Sequence, residues 1–513
     1  MASPVASHSS TLVLYCNNHT ITLIVIFKKI YLFQLSSINK ISEQRIFKIL
    51  LLVYIITMLL IAFIADGTGD EGDSVMHYLF AKTAAQYPQH FLDHWAKPLY
   101  VLIAFPFAQF GFIGVKIMNL LFGTGSFIMV YLIAKKLEIK PSWLPSVLLA
   151  SIPMFNFYMM SGLTENMFAF TLISGIYLLL KNKYVLGTVI LSFLPFIRSE
   201  GILILLVIAF FLLYRSKYYL IPLLLTGHII YGIAGSFIYK SVWWVFTKMT
   251  YATWTSAYGK GQWTHFFYKM PEVAGRPTAI VFYASLLFTL IQFILFLKNK
   301  LQKQETNTLI LINGCLIIYF TAHTFFWALG IFNSGGILRV MVSIMPLIAI
   351  VNTKAIQYFL SFIYPEDLRR NLFIVCIAII VLYPFTNFEF AYHWKRDFQL
   401  KADQYAEKDM KQWLEKNNAN YKLHTVYYET CYLSELLNID WFDAKQHKRL
   451  LDSFEKNEFK KGDLIVWDDW FAIVEGHVEL SKLESDKRFE KLNQFEKINY
   501  WGVTRKTVLF KVN

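Results

Sequence analysis

The stretch Ala65–Tyr100, ADGTGDEGDSVMHYLFAKTAAQYPQHFLDHWAKPLY, lies between two apolar runs, Ile49–Ile64 and Leu99–Gly111. It holds five acidic residues (Asp66, Asp70, Glu71, Asp73, Asp93), three histidines (His77, His90, His94) and two lysines (Lys82, Lys97). Connections between spanning helices are ordinarily short. A long loop this rich in titratable groups is expected to carry function.

The composition around it is that of a polytopic membrane protein. Of 513 residues, 56% are hydrophobic and 16% charged, with mean hydropathy +0.43. The net charge of +14 reads as loop lysines and arginines that orient helices and attract anionic lipid. No basic recognition element is present, so a nucleic-acid partner is not expected. The four cysteines form no CxxC pair, which argues against a disulfide framework or a structural zinc site. There is no GxxxxGK[ST] loop and no HExxH helix, which argues against ATP-driven transport and a zincin protease. No repeat or low-complexity tract is evident.

Apolar runs fall at about 47–65, 98–113, 115–134, 142–158, 163–180, 184–197, 200–214, 219–239, 278–297, 307–328, 338–363 and 371–388. The basic clusters Lys135/Lys136/Lys140, Lys181/Lys183, Arg215/Lys217, Lys298/Lys300/Lys303 and Arg369/Arg370 all fit the cytoplasmic side. Loop 66–97, residues 157–163, 196–201, 240–277 and 329–339, and everything after 388 then face outward. Reaching Lys135 from the outer loop requires an odd number of crossings, but two runs intervene. The short segment 98–113 is therefore expected to re-enter or lie along the membrane.

The chain thus reads as mostly α, a bundle of about 11–12 apolar segments with a small C-terminal α/β or α+β domain outside the membrane. The expected boundaries are an N-terminal cytoplasmic or interfacial segment 1–45, a transmembrane domain 46–390 with outer loop 66–97, and a soluble domain 391–513. Within the first, Ile21–Phe33 is too short to span, and Asn18-His-Thr is a formal glycosylation sequon. In the last, Ala402–Asn417 reads as an amphipathic helix, and Asp463–Trp467 and Thr507–Val512 read as strands.

Charged groups at membrane depth are costly and point to function. Sidedness places Glu165, Arg198, Glu200 and Arg339 on the same face as the acidic loop, each at the outer end of an apolar helix. Arginines there suit phosphate, and carboxylates suit general-base work or metal ligation. Structural alternatives stand beside these roles. Asp70, Glu71 and Asp73 lie in a glycine-flanked turn where acids serve the backbone. Asp73 is placed to cap a following helix. Lys97 is placed to snorkel, and Arg198 and Arg339 to pair with Glu200 or Glu165. His77, four residues after Asp73, is either half of a metal pair or a solvated histidine.

At these residues the chain resembles the GT-C fold glycosyltransferases, which include protein O-mannosyltransferases and lipid A aminoarabinose transferases. GDEGDSVMHY (69–78) resembles the family's acidic start of the first outer loop, and HWAKPLY (94–100) its proline-led end. FGFIGVKIMNLLFG, VYLIAKKL, IPMFNFYMMSGLTEN, PFIRSEGILIL and SGGILRVMVSIMP extend the likeness over roughly residues 46–390. The chain departs from it in having one proline after Lys97 and Val340 where an aromatic is frequent. The resemblance implies Asp73 as the catalytic base with Asp70 second, and Glu165 supporting the acceptor or the base. It implies Lys97 and Arg339 as ligands of a polyprenyl-phosphate donor, with Arg198 and His94 nearby. A divalent metal is compatible with the acidic cluster, its candidate ligands being Asp70, Glu71, Asp73, His77 and His94.

The implied activity is transfer of a hexosyl or pentosyl group, with inversion, to a lipid, glycan or protein acceptor at the outer face of the cytoplasmic membrane. The competing classes are a transporter or flippase of lipid-linked glycans and a non-catalytic membrane scaffold. A flippase would show charges at helix centres and internal two-fold similarity.

Overall fold

The computed structural model describes residues 42–417 and 421–513. The readings made for 1–41, the interfacial stretch and the sequon among them, lie outside the described residues. The chain divides into two compact units, 1–50 and 51–513. The described part of the first is the opening of helix Glu43–Ile64, where the Ser42 carbonyl accepts from the Arg45 amide at 2.8 Å. All that follows concerns the second.

Among the described residues, seven helices are long and apolar enough to cross a membrane: Glu43–Ile64, Phe112–Lys136, Tyr218–Tyr239, Arg276–Leu297, Lys303–Leu329, Leu338–Leu360 and Glu366–Phe385. The chain is an integral membrane protein. Leu338–Leu360 is the central helix, with 83% of its apolar window buried, whereas Arg276–Leu297 and Glu366–Phe385 bury 17% and form the perimeter. Perimeter side chains such as Phe237 and Ile280 are large, apolar and exposed, as lipid contact requires.

The remaining apolar runs are short or broken. The run 142–158 is not one helix but two, Leu144–Ala150 and Pro153–Phe157. Pro153 has no N–H to continue the first helix and instead opens the second. Pro153–Met160 and Glu165–Leu180 meet at 117° across a four-residue break. Pro98–Ala108 has 11 residues, and a helix of that length rises about 16 Å against a hydrocarbon core of about 30 Å. It is too short to span that core as a single straight helix. Tyr184–Phe196 and Gly201–Tyr214 are likewise short.

Residues beyond about 400 fold around a five-stranded sheet. Its strands are β1 (Val426–Tyr427), β2 (His447–Lys448), β3 (Leu464–Asp468), β4 (Phe489–Ile498) and β5 (Thr504–Val512), in the order β2-β1-β3-β5-β4. β1 is parallel to β2 and β3, and β5 is antiparallel to β3 and β4. All five residues of β3 are buried. Leu464 and Val466 pack on one face with Met410 and Leu414 of the helix Ala402–Asn417, and Ile465 and Trp467 on the other with Val508 and Phe510.

This domain holds the acidic loop. Glu435 accepts from Lys82 Nζ at 2.7 Å and from Tyr78 Oη at 3.0 Å. Tyr87 Oη donates to Asp440 at 2.9 Å, and Gln404 Nε2 donates to Thr68 Oγ1 at 2.9 Å. The Gly67 amide donates to the Phe398 carbonyl at 3.0 Å. Glu435→Ala removes two of these ties. Because the Lys82–Glu435 pair is partly exposed, the expected cost is about 1 kcal/mol. Hydrogen exchange should quicken at residues 73–87 while the β3 and β5 amides stay protected; equal rates in variant and parent would show that the loop holds itself.

Candidate functional site

The site begins with the break between Met160 and Glu165. Backbone carbonyls freed inside a membrane bundle must find partners in the protein. Asn119 Nδ2 donates to the Ser161 and Leu163 carbonyls at 2.7 and 2.9 Å, and Tyr100 Oη donates to the Gly162 carbonyl at 2.5 Å. The Gly162 amide donates to Ser74 Oγ at 2.7 Å, and Ser74 Oγ donates to the Thr68 carbonyl at 2.6 Å. Gly162 lies so close to the Ser74 carbonyl that a Cβ would collide with it. The acidic loop and the broken helix are thereby locked together, bringing Asp73 and Glu165 to opposite sides of Arg339.

Arg339 stands between them at the start of Leu338–Leu360. Its Nη1 donates to Asp70 Oδ2, its Nη2 donates to Asp73 Oδ2, and its Nε lies 3.4 Å from Glu165 Oε1. The chain of charge continues. Arg198 Nη1 donates to Glu165 Oε1 at 2.6 Å and Nη2 to Glu200 Oε1 at 3.0 Å. His323 Nε2 stands 3.6 Å from Glu200, beyond hydrogen-bond reach. The structural pairings considered for Arg198 and Arg339 are therefore present, and they join the two arginines through Glu165 in one network. The Glu165 Oε2 and Arg198 Nε atoms are buried without a partner among the described residues.

The two loop aspartates do different things. Asp70 Oδ1 accepts from the Gly72 and Ser74 amides at 2.9 and 3.3 Å, tying the turn that opens helix Asp73–Thr83. Asp73 starts that helix, yet its side chain makes no cap. Its side chain is 44% exposed against 20% for Asp70. Burial pushes the Asp73 carboxyl up, but the Arg339 guanidinium outweighs it and holds it below the usual aspartate range. Asp73 is thus an ionised, accessible carboxylate with one flank on a guanidinium.

Lys97 is the other distinctive group. It precedes Pro98 with φ +67°, a backbone state that non-glycine residues rarely hold and that clusters at functional sites. Its buried ammonium donates to Ser199 Oγ at 3.2 Å and stands 4.8 Å over the Tyr251 ring. Among the described residues it has no carboxylate within ion-pair distance. Burial brings its pKa down to about 8, Glu200 opposing and Arg198 reinforcing.

Among the described residues, the histidines are not grouped with carboxylates as a metal-ligand set. His77 Nδ1 is 2.7 Å from the Asp73 carbonyl, which only accepts, so Nδ1 carries the proton and the buried Nε2 is a bare acceptor. The His77 ring lies against Trp95 and edge-on to Tyr100. His94 packs 4.9 Å from the Trp244 ring, and burial followed by the Lys97 charge lowers its pKa to about 4. Near pH 7 it is neutral and would meet a phosphate only as a hydrogen-bond donor. Glu71 turns instead toward the C-terminal domain, its carboxyl raised by burial and by Asp403. Among the described residues, no three His, Cys, Asp or Glu side chains are grouped to hold a metal ion. The candidates Asp70, Glu71, Asp73, His77 and His94 are therefore not brought together as a ligand set.

Several participants were not singled out from sequence. Asn119, Tyr100 and Ser74 act through backbone groups and carry no motif. Lys116 donates to the Ala65 carbonyl at 2.6 Å, a cation at a helix C-terminus, and His323 sits beside Glu200. A lysine and a histidine inside apolar runs were the available signals.

No protein-family model matches the chain, and no curated protein matches it. Solved structures do. The crystal structure of ArnT from Cupriavidus metallidurans bound to undecaprenyl phosphate aligns with 89% of this chain and 97% of that one, at TM-score 0.54 and 10% identity. The cryo-EM structure of the arabinofuranosyltransferase AftD from Mycobacteria aligns with 90% of this chain, which spans 40% of that one, at TM-score 0.46 and 11% identity. The chain has the GT-C fold.

Arg198→Met tests the network. It leaves Glu165 and Glu200 without their closest cation, and breaking a buried pair costs about 3 kcal/mol or more. The melting temperature in nanodiscs should fall; an unchanged value would mean that Arg339 and water satisfy Glu165 alone.

Proposed function

We propose that this protein is a membrane glycosyltransferase that moves a sugar from a polyprenyl-phosphate donor to a hydroxyl acceptor. The observation that carries this reading is the pairing of an ionised, accessible Asp73 with a buried, carboxylate-free Lys97 in one polar site of a GT-C bundle. The ArnT structure, which shares the fold, was bound to undecaprenyl phosphate. That is consistent with a polyprenyl phosphate as the lipid carrier here.

Asp73 takes the proton of the acceptor hydroxyl as its oxygen attacks the anomeric carbon. The bond from that carbon to the phosphate oxygen breaks, and polyprenyl phosphate leaves with the electron pair. Attack from the face opposite the phosphate inverts the centre. Lys97 meets the charge that grows on the leaving phosphate, where a desolvated cation acts more strongly than in water. Arg339 holds Asp73 ionised and aimed, and stands close enough to share the phosphate. Glu165 fixes both arginines. The apolar walls take the polyprenyl tail, so no soluble nucleotide-binding domain is needed. By the distribution of lysine and arginine, the site and the C-terminal domain face away from the cytoplasm.

Asp73→Asn should lower transfer from a polyprenyl-phosphate sugar by about 10² to 10⁴ while donor binding persists. Retained transfer would remove Asp73 from the mechanism. For Lys97 the sign is fixed by its charge. The ammonium is present below about pH 8 and lost above it, so kcat/KM, which reports the free enzyme, should fall as pH rises through that value. Lys97→Gln should lower kcat/KM and erase this alkaline limb. An unchanged limb in the variant would assign it to another group.

A further inference from the structure

Two helices lead from the site to the far end of the bundle. Glu165 opens Glu165–Leu180, and Glu200 immediately precedes Gly201–Tyr214. At about 1.5 Å per residue their other ends lie roughly 20 Å away. Both end in the same pattern, a basic residue, a polar residue, lysine and tyrosine: Lys181-Asn182-Lys183-Tyr184 and Arg215-Ser216-Lys217-Tyr218. Asn182 and Ser216 take left-handed φ values of 58° and 53°. The Lys183 and Lys217 amides then donate back to the Leu178 and Leu212 carbonyls at 2.9 and 2.7 Å, closing each helix with a C-terminal turn.

The two turns meet. Arg215 Nη2 donates to Tyr184 Oη at 2.9 Å, which in turn donates to Asn182 Oδ1 at 2.7 Å. Here lies a pocket of about 360 Å³ whose lining includes Asn182, Lys183, Tyr184, Lys217, Tyr219 and Leu220. Lys217 Nζ stands 6.0 and 5.8 Å over the Tyr184 and Tyr219 rings. Among the described residues, none of Lys181, Lys183, Arg215 and Lys217 forms an ion pair, whereas both arginines at the opposite end, Arg198 and Arg339, pair with carboxylates. Single cations at helix C-termini are ordinary. Here Lys183 and Lys217 line the pocket itself, and two lysines without counter-charge in one pocket suit an anion. The neighbouring Val185, Leu186 and Tyr218 are apolar and exposed, so the anion's carrier has hydrocarbon to lie on.

We propose that this pocket binds the anionic phosphate headgroup of a lipid in the leaflet on the basic side of the bundle, with its acyl chains along Val185, Leu186 and Tyr218. Basic pockets between helices on the cytoplasmic side suit such headgroups. The inference stands apart from the reaction assigned to the opposite end.

The test uses the full-length protein in neutral detergent with dioctanoyl phosphatidylglycerol, dioctanoyl phosphatidylcholine or inorganic phosphate. Phosphatidylglycerol should bind saturably, with phosphatidylcholine and inorganic phosphate far weaker. K183Q/K217Q should weaken phosphatidylglycerol binding roughly 30-fold, at about tenfold for each 1.4 kcal/mol and about 1 kcal/mol per lysine. K183R/K217R should retain it, and so should the distant pair K298Q/K300Q. An unaltered melting temperature in phosphatidylcholine establishes that the variants fold. Equal loss in K298Q/K300Q, no loss in K183Q/K217Q, or inorganic phosphate binding as tightly as the lipid would each overturn the proposal.

Discussion

The site depends on Arg339. One guanidinium addresses Asp70, Asp73 and Glu165 through three different nitrogens. Only arginine has donors fanned in a plane to do this; a lysine ammonium would satisfy one carboxylate well and leave the others short. Burying a guanidinium without partners costs several kcal/mol, and gathering three carboxylates, one of them the buried Glu165, without a cation is also costly. Neither the loop nor the broken helix is therefore at its lowest free energy until Leu338–Leu360 brings Arg339 to them. The interaction orders segments more than 260 positions apart in sequence, and it fixes the ionisation of Asp73 in the same step.

Backbone chemistry sets where this network forms. A helix break inside a membrane bundle exposes carbonyls that lipid cannot satisfy. Here Asn119 and Tyr100 satisfy them, and Ser74 links the break to the loop. Glu165 follows the break directly, so its position is determined by hydrogen bonds that do not involve its own side chain. Such support leaves little reorganisation to be done when charge develops during a reaction.

The helical frame was legible because lipid demands it: long apolar runs, interrupted by proline and punctuated by lysine and arginine, leave few other folds. Ala402–Asn417, β3 and β5 were legible because burial on one or both faces writes a periodic pattern. β4, FEKLNQFEKI, was not. It is an edge strand, and alternating charge on an edge blocks further pairing while hiding the strand from a hydrophobicity reading. β1 and β2 have two residues each and write no pattern. In the site, Asp70, Asp73, Glu165, Lys97, Arg198 and Arg339 stood out because charge at membrane depth is costly. Asn119 and Ser74 did not, since their work is done on distant carbonyls and amides. The histidines drew attention by type alone; their surroundings, aromatic rings and a single carbonyl, are legible only in three dimensions.

On the proposed function, the contrast between the arginines and Lys97 bears on how an anionic donor would be received. Arg198 and Arg339 already hold carboxylates, so a phosphate gains from them only by sharing or displacing those partners. Lys97 holds a hydroxyl and an aromatic face. A desolvated ammonium with only neutral contacts is unfavourable in the empty site, and an arriving phosphate relieves that cost while meeting no competing carboxylate. The Ser199 hydroxyl and the Tyr251 ring hold the ammonium inside the protein, where a lysine at a membrane edge otherwise swings to water. The free energy stored in that placement becomes available only when a negative charge enters. Under the proposed function a neutral or cationic lipid gains nothing from this placement, so selection for an anionic carrier would lie in the unpaired lysine more than in the number of cations nearby.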